Sequence, residues 1–119
     1  MAVQMKRAYD RPLRADGYRV LIDRIWPRGV SKDEARLDEW ARELAPSSEL
    51  RLWFGHDSAK FEEFRRRYRD ELAEHEEKLH ELRARARQGT LTLVYAARDT
   101  EHNDAVVLAE LLREGTRSR

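Results

Sequence analysis

Three segments of the chain have the apolar pattern of β-strands. Over residues 3–9, Val3 and Met5 alternate with polar residues, which predicts a strand. Residues 18–26 contain the continuous apolar run Val20-Leu21-Ile22, and such a run is typical of a strand that is covered on both faces. Residues 90–96 are rich in β-branched and aromatic residues, so they form the third predicted strand.

Helical spacing begins after the second predicted strand. Ser31 and Glu34 have the spacing of a capping box, which predicts the start of a short helix or turn. Apolar residues then repeat at helical spacing until Pro46, which ends the run; they are Leu37, Trp40 and Leu44. Ser47 or Ser48 is placed to cap a further short helix.

The second half of the chain contains the longest helical pattern. Gly55 is expected to end the short helix before it. Apolar residues three or four positions apart predict an amphipathic helix over about residues 58–88. A last helix is predicted over about residues 103–114, followed by a frayed tail at 116–119.

The order of these elements predicts the fold class. The order β-α-β-α favours an α/β domain with a small, mainly parallel sheet of three to four strands and helices packed against it, with residues 1–119 as a single domain. The connection over residues 10–17 is too short for a crossover helix, so the first two strands are expected to be antiparallel or not adjacent. Ligands of open parallel sheets bind beyond the carboxyl ends of the strands. Segments 23–29 and 95–103 are expected to meet there.

Composition narrows the classes of function. Charged residues make up 39% of the chain and the mean hydropathy is -0.89, yet the apolar residues are patterned, which argues against disorder. The absence of cysteine excludes disulfides, thiolate metal sites and a cysteine nucleophile, and it favours a cytoplasmic location. No segment approaches the roughly 20 apolar residues that a membrane span needs, so no membrane association is expected.

Charge is distributed unevenly along the chain. The net charge is +1, and Lys and Arg outnumber acidic residues only in the first and last parts of the chain. The acidic middle, over residues 33–81, argues against the broad electrostatic attraction that non-specific nucleic-acid binding uses. A local basic pocket for a small anionic ligand is therefore favoured, and nucleic acid is the less favoured partner.

Several segments of this chain follow a family pattern. The longest is DGYRVLIDRIWPRGVSK at residues 16–32, followed by residues 45–57, by Phe64 with Tyr68 and Glu71, and by LVYAARD at residues 93–99. In this order they resemble the YeaO-like proteins, a bacterial family of unknown function. The resemblance covers nearly the whole chain and implies a compact α/β domain without an established activity. More distant relatives carry cysteines around the last strand and its following helix, where this chain has Tyr95 and Asn103, so the resemblance does not imply thiol chemistry.

Basic residues near the strand ends are candidates for binding an anion. Guanidinium groups bind phosphate or carboxylate with two hydrogen bonds, so these residues could form an anion clamp. The candidates are Arg24, Arg28, Lys32 and Arg51. The alternative is that Arg24 pairs with Asp23 or Asp99 and braces the loop, because ion pairs are common in charge-rich domains.

Aromatic residues could supply a stacking wall for a flat ligand. Trp26, Trp40, Trp53 and Tyr95 are candidates, although large aromatic residues more often fill the core of a small domain. Trp26 is the most informative of them, because a tryptophan in a loop has less reason to be buried. Asn103 is expected to line the same pocket.

Acid-base candidates lie in the same segments. Asp23 and Asp99 end two predicted strands and could move a proton or hold Mg²⁺, or each could be a cap or an arginine partner. His56 is a candidate general base, and the adjacent Asp57 is equally placed to cap the long helix. His75 and His80 are five residues apart and do not share a helix face, so no zinc site is predicted there. No metal site or cofactor is therefore assigned from the sequence.

Two hypotheses of different classes follow. In the first, the protein is an enzyme or binder that holds a small anionic, phosphate- or nucleotide-like ligand at the strand ends. In the second, it is a regulatory or interaction module that binds protein or nucleic acid and could form a homodimer. A closed concave pocket would favour the first hypothesis, and a flat exposed patch around Trp26 and Trp53 would favour the second.

Overall fold

The structure, a computed structural model, describes residues 2–117, and within this range the chain forms a sheet of four parallel strands. Side chains are described up to residue 114. The strands are β1 (Ala2–Arg7), β2 (Tyr18–Leu21), β3 (Glu39–Trp40) and β4 (Thr90–Tyr95), in the order β1-β4-β2-β3. The predicted α/β class is confirmed. Because β4 lies between β1 and β2, the first two strands are parallel and not adjacent.

The strand β2 is shorter than its apolar pattern predicts. Ile22 still donates a backbone hydrogen bond to the carbonyl of Val94 at 3.2 Å, but the chain then leaves the sheet. The carboxylate of Asp23 accepts a hydrogen bond from the backbone N–H of Ala96 at 2.9 Å, which turns the chain across the end of β4. The prediction of a strand up to Trp26 is therefore wrong beyond the first residues, and this segment is the loop that shapes the site.

The helix predicted through Leu37, Trp40 and Leu44 is also wrong. Helix α1 (Lys32–Ala35) begins with the predicted capping box at Ser31, but it ends after one turn at Arg36, which has a positive φ of 46°. Trp40 instead belongs to β3, and its indole N–H donates to the carbonyl of Asp23 at 2.7 Å. The tertiary contacts of Trp40 therefore favour a strand here, although its spacing from Leu37 and Leu44 is helical.

The remaining helices follow the predicted pattern closely. They are α2 (Ser48–Phe54), α3 (Phe61–Leu72), α4 (Glu76–Gln88) and α5 (Asp104–Arg117). Ser47 caps α2, and Gly55 ends it with a positive φ of 52°. The long helical segment over residues 58–88 is confirmed, with 3-10 turns at Ser58–Lys60 and Ala73–His75.

The last helix is longer than predicted. It continues to Arg117, so Thr116 and Arg117 are helical and not part of a tail. Ser118 and Arg119, where the rest of the tail was expected, lie outside the described residues.

The two faces of the sheet are covered differently. On one face, α2 to α5 bury a large apolar cluster that includes Val20, Leu91, Phe64 and Leu108. On the other face, a small cluster of Ala8, Leu21 and Val94 is covered by partly buried side chains of the segment that follows β2: Trp26, Leu37 and Trp40. Successive side chains of β2 and β4 point to opposite faces of the sheet and therefore pack in two different apolar clusters. The continuous apolar runs of these strands predict this arrangement.

A buried ionic network fixes the start of β2. Arg19 pairs with Asp16 at 2.6 Å and donates to the carbonyl of Ala35, while Lys6 also reaches Asp16 at 3.2 Å. Burial by itself would raise the pKa of Asp16, but the N–H of Leu13 and the charges of Lys6 and Arg19 lower it overall. This network stabilises the fold at the opposite end of β2 from the predicted site.

Candidate functional site

A cavity of about 630 Å³ lies beyond the carboxyl ends of β2 and β4. Its volume falls within the range of small-molecule sites. It is lined by the loop after β2, the segment before α2, the second half of α2 with His56 after it, one residue of α3, the loop after β4 and the start of α5. The lining residues include Asp23, Arg24, Trp26, Arg28, Pro46, Arg51, Phe54, His56, Phe64, Arg98, Asp99, Asn103 and Asp104. This is the position that the parallel sheet predicts for a ligand.

One wall of the cavity is held in place by α3. The hydroxyl of Tyr68, which is fully buried, donates to the carbonyl of Leu44 at 2.5 Å. The carboxylate of Glu71 accepts hydrogen bonds from the backbone N–H and the hydroxyl of Ser47, at 2.8 and 2.6 Å. Between these two anchors lies Pro46, whose carbonyl accepts a hydrogen bond from Arg24 at 3.1 Å. Residues of the long helix therefore position this wall.

The arginines around the cavity differ from those on the long helix. Arg28, Arg51 and Arg98 are exposed, and no ion pair joins them to an acidic side chain among the described residues. On α3, in contrast, each arginine pairs with a glutamate of α3 or α5; these are Arg65, Arg66, Arg67 and Arg69. Arginines elsewhere on the surface, such as Arg11 and Arg36, also form no ion pair among the described residues, so what distinguishes the three at the cavity is that they line one concave surface together.

Arg24 has a different environment from its neighbours. It was expected to pair with Asp23 or Asp99, but within the described part of the chain it forms no such ion pair. Its guanidinium braces the loop through the carbonyl of Pro46 instead. It still lines the cavity, where its remaining N–H groups are available to an anion.

A pair of carboxyl groups lies beside these arginines. A hydrogen bond joins the side chains of Asp23 and Asp104, and the backbone N–H groups of Ala96 and Ala105 each donate to one of them at 2.9 Å. Burial raises the pKa of Asp23. Burial, followed by the negative charge of Asp23, raises the pKa of Asp104 well above its usual range. Because two such groups cannot easily ionise together, a state with one proton and one negative charge is favoured over the doubly ionised state.

Asp104 is one of the site residues that sequence reasoning misses, together with Arg98, Phe54 and Phe64. An acidic residue in the first turn of a helix is ordinarily a favourable partner of the helix dipole, so its position gives no signal of a site. Part of its surface is accessible from the cavity, although protein atoms surround it densely. Only the meeting of α5 with the loop after β2 shows that it pairs with Asp23.

Asp99 and Asn103 line the cavity but also hold its local structure. Asp99 accepts hydrogen bonds from the backbone of Glu101 and His102 and contacts the His102 ring at 2.9 Å. Asn103 is the N-cap of α5, since its side-chain oxygen accepts from Val106, and its amide donates to the carbonyl of Asp99 at 2.8 Å. Both residues therefore fix the shape of the loop, and the catalytic role predicted for Asp99 stays a prediction.

His56 lies at the cavity in an unusual backbone conformation. Its φ is 59°, a region that residues other than glycine seldom adopt, and its ring packs on Phe54 with 6.2 Å between ring centres. The charge of His56 partly counteracts the rise in the pKa of Asp23. The adjacent Asp57 caps the following turn by accepting a hydrogen bond from Ala59, as its alternative role predicts.

Three predicted ligand-binding residues are not among those that line the cavity. Lys32 begins α1 on the surface, and Trp53 packs against the large core with Lys60 and Arg67 over its ring. Tyr95 is buried at the end of β4, where Asn103 donates a hydrogen bond to it. Trp26 does reach the cavity, but it also packs edge-on against Trp40 at 5.3 Å.

Residues 2–117 contain neither a metal-binding cluster nor a membrane-spanning helix. No group of three or more His, Asp or Glu side chains there is arranged to hold a metal ion. Over the same residues, no helix has both the length and the apolar character that crossing a bilayer requires.

The fold and the cavity together define an α/β protein with a site at the carboxyl edge of a parallel sheet. The family described as "Inactive DUF488-N3 subclade" matches residues 2–119. The chain is 46% identical over 113 residues to the uncharacterised protein YeaO of Escherichia coli (strain K12), covering 95% of this chain and 98% of that protein. It is 43% identical over 110 residues to the uncharacterised protein Rv3073c of Mycobacterium tuberculosis (strain ATCC 25618 / H37Rv), covering 92% of each. No solved structure matches the chain. The chain belongs to this YeaO-like bacterial family of unknown function.

Proposed function

We propose that this protein binds a small organic anion, phosphate- or nucleotide-like, in the cavity at the carboxyl edge of the sheet. The observation that carries the proposal is the set of arginines around the cavity without acidic partners: Arg28, Arg51 and Arg98. Leaving several guanidinium groups unpaired beside a concave surface favours an external anion as their partner. Arg24 adds a fourth positive charge at the same edge.

The rest of the lining supports an organic ligand over a bare inorganic ion. Phe54 and Phe64 are buried, line the cavity and stack with 4.4 Å between ring centres. Apolar walls with a few polar groups are typical of sites for small organic molecules. An anion with an apolar or flat body would contact these rings while its charge remained near the arginines.

Binding is favoured over catalysis. The family description calls the subclade inactive, and within the site Asp99 and Asn103 are engaged in holding the loop. Among the predicted acid-base groups, Asp23 and His56 line the cavity and keep a catalytic role open to test. A binding role requires only the charges and the shape described above.

The interaction-module hypothesis receives less support. Trp26 and Trp53 are half-buried and packed against core residues, so they do not form the flat exposed patch that this hypothesis requires. The cytoplasmic location and a possible homodimer stay proposals from the sequence. Light scattering of the purified protein would determine the oligomeric state.

The proposal is tested by the melting temperature of the protein with a panel of anions. The panel contains pyrophosphate, ribose 5-phosphate and the monophosphates of inosine and guanosine. A ligand present at 100 times its Kd stabilises the native state by about 2.7 kcal/mol, which corresponds to a rise of several degrees. The absence of a rise with every anion would contradict the proposal.

The variant Arg51→Ala tests whether the anion that raises the melting temperature binds in the cavity. Arg51 is exposed and pairs with no acidic side chain of the described residues, so its removal is expected to change the melting temperature of the free protein little. Losing a hydrogen bond to a charged group costs about 1.5–3 kcal/mol, so the affinity for the anion should fall at least about tenfold. Arg11→Ala is the matched control, because Arg11 is exposed and does not line the cavity. Equal losses in the two variants would show a non-specific charge effect.

A further inference from the structure

The cavity contains charges of opposite sign at different depths. The guanidinium groups of Arg28, Arg51 and Arg98 are on exposed residues, whereas Asp23 and Asp104 are partly buried. All five residues line the same cavity. A ligand that carried only negative charge would be attracted to the arginines and repelled by the carboxyl pair. A ligand in the cavity would therefore be oriented, with its anionic end at the exposed arginines and its other end at the carboxyl pair.

The carboxyl pair is suited to accept hydrogen bonds from a ligand. The hydrogen bond between the side chains of Asp23 and Asp104 requires one proton, and the singly protonated pair carries a negative charge and has more acceptor positions than donors. The backbone N–H groups of Ala96 and Ala105 occupy one position on each side chain. The remaining lone pairs require N–H or O–H donors when water is displaced, because an unsatisfied buried charge is costly.

Aromatic side chains line the same space. Phe54 and Phe64 are buried there, and the edge of Trp26 contributes from the loop after β2. Such surfaces contact flat heterocyclic rings well, since every ring has a face that can pack on them. The cavity thus combines an anion-binding rim, an aromatic lining and an inner acceptor pair.

We infer that the ligand is a nucleotide whose ring carries adjacent N–H donors, placed against Asp23 and Asp104 while its phosphate contacts the arginines. This inference rests on the proposed function, because it specifies which anion the same cavity selects. A carboxylate accepts two parallel N–H hydrogen bonds from one edge of a ring, and a site built for such donors discriminates against ligands that lack them.

The test is calorimetric titration with three probes that share a phosphate. Guanosine 5′-monophosphate has a ring N–H and an adjacent amino group, inosine 5′-monophosphate lacks that amino group, and ribose 5-phosphate lacks the ring. The guanosine nucleotide should bind at least about tenfold more tightly than the inosine nucleotide, the value of one hydrogen bond to a charged acceptor. Equal affinities of the two nucleotides would overturn the inference.

Paired variants assign the discrimination to the carboxyl pair. Asp104→Asn leaves the charge of Asp23, so the preference for the guanosine nucleotide should persist. The double variant Asp23→Asn, Asp104→Asn has no charge in the pair, and the preference should fall to less than about threefold. A preference that survives in the double variant would overturn the inference, and the melting temperatures of the free variants show whether each is folded.

The outcomes also separate this inference from the proposed function. Anion binding that depends on Arg51 but does not distinguish the three probes would leave the proposed function intact and overturn the donor-recognition claim. Absence of binding for every anion, pyrophosphate included, would overturn both.

Discussion

Single residues determine the electrostatics of the site, and Asp104 is the clearest case. Its carboxyl group lies beside Asp23, and burial with that neighbouring charge raises the pKa of Asp104 well above its usual range. In the unfolded chain the same group ionises near its ordinary pKa. Between the unfolded and the folded pKa of Asp104, folding therefore takes up a proton, so the contribution of Asp104 to stability decreases as the pH rises above the unfolded value.

Asp104→Asn should become more stabilising, relative to the native chain, as the pH rises from 4 to 7. Asparagine is neutral at every pH and can still donate a hydrogen bond to Asp23, so the cost of protonation disappears. The gain in the free energy of unfolding should therefore increase with pH over this range, and urea unfolding at each pH measures it. Subtracting the native curve removes the opposite dependence from Asp16, whose pKa is lowered.

Asp99→Asn is the control for this pH dependence. The N–H of Glu101 and the contacts of His102 lower the pKa of Asp99, so its ionised form favours folding. The stability difference between variant and native chain therefore changes with pH in the opposite direction. Asp99→Asn should lose stability relative to the native chain as the pH rises. A pH-independent difference for Asp104→Asn would contradict the shared proton.

At this scale the sequence predicts some site residues and not others. Arg24, Arg28 and Arg51 could be named because they follow or precede apolar segments whose place in the sheet was predictable. Asp104 could not, because its role depends on a contact with Asp23, 81 residues earlier in the chain. Long-range pairs of this kind leave no periodic pattern.

At the scale of elements, the long helix supports the site as well as the core. Tyr68 and Glu71 lie one helical turn apart on α3 and hold the chain on either side of Pro46. The apolar periodicity predicts the buried face of this helix but not these polar contacts. The same limitation explains why the sequence predicts a helix where β3 forms. Leu37, Trp40 and Leu44 have helical spacing, but Trp40 lies in the sheet and its indole N–H donates a hydrogen bond to the carbonyl of Asp23.

Ser47→Ala should lower the free energy of unfolding by about 1 kcal/mol, the usual value of a lost N-cap. The hydroxyl of Ser47 caps α2 through the N–H of Leu50 and also donates to Glu71. Urea unfolding measures the change. Ser48→Ala is the matched control, because Ser48 lies in the first turn and makes no cap hydrogen bond. Equal losses in the two variants would contradict the assignment of the cap to Ser47.

At the scale of the whole molecule, one end of the sheet stabilises the fold and the other end forms the cavity. The ionic network of Asp16, Arg19 and Lys6 stabilises the start of β2, whereas the loop that begins at Asp23 forms the cavity. Asp16, Arg19 and the loop that begins at Asp23 lie within the segment 16–32 that carries the family resemblance, and Lys6 joins the network from β1. The order of the elements predicts the α/β fold class and the carboxyl edge of the sheet as the place of the site. It does not predict the strand order, because the strand that separates β1 and β2 comes from the far end of the chain.

Chemical-shift mapping with inosine 5′-monophosphate is the most direct test of the central claim, that the carboxyl edge of the sheet binds a small organic anion. Backbone amide signals of the isotope-labelled protein are followed during the titration. The expected result is a set of saturable shifts confined to residues 23–28, 51–56 and 96–104, absent or much weakened in Arg51→Ala. Shifts centred on the paired arginines of residues 65–69, or no saturable shifts, would contradict the claim.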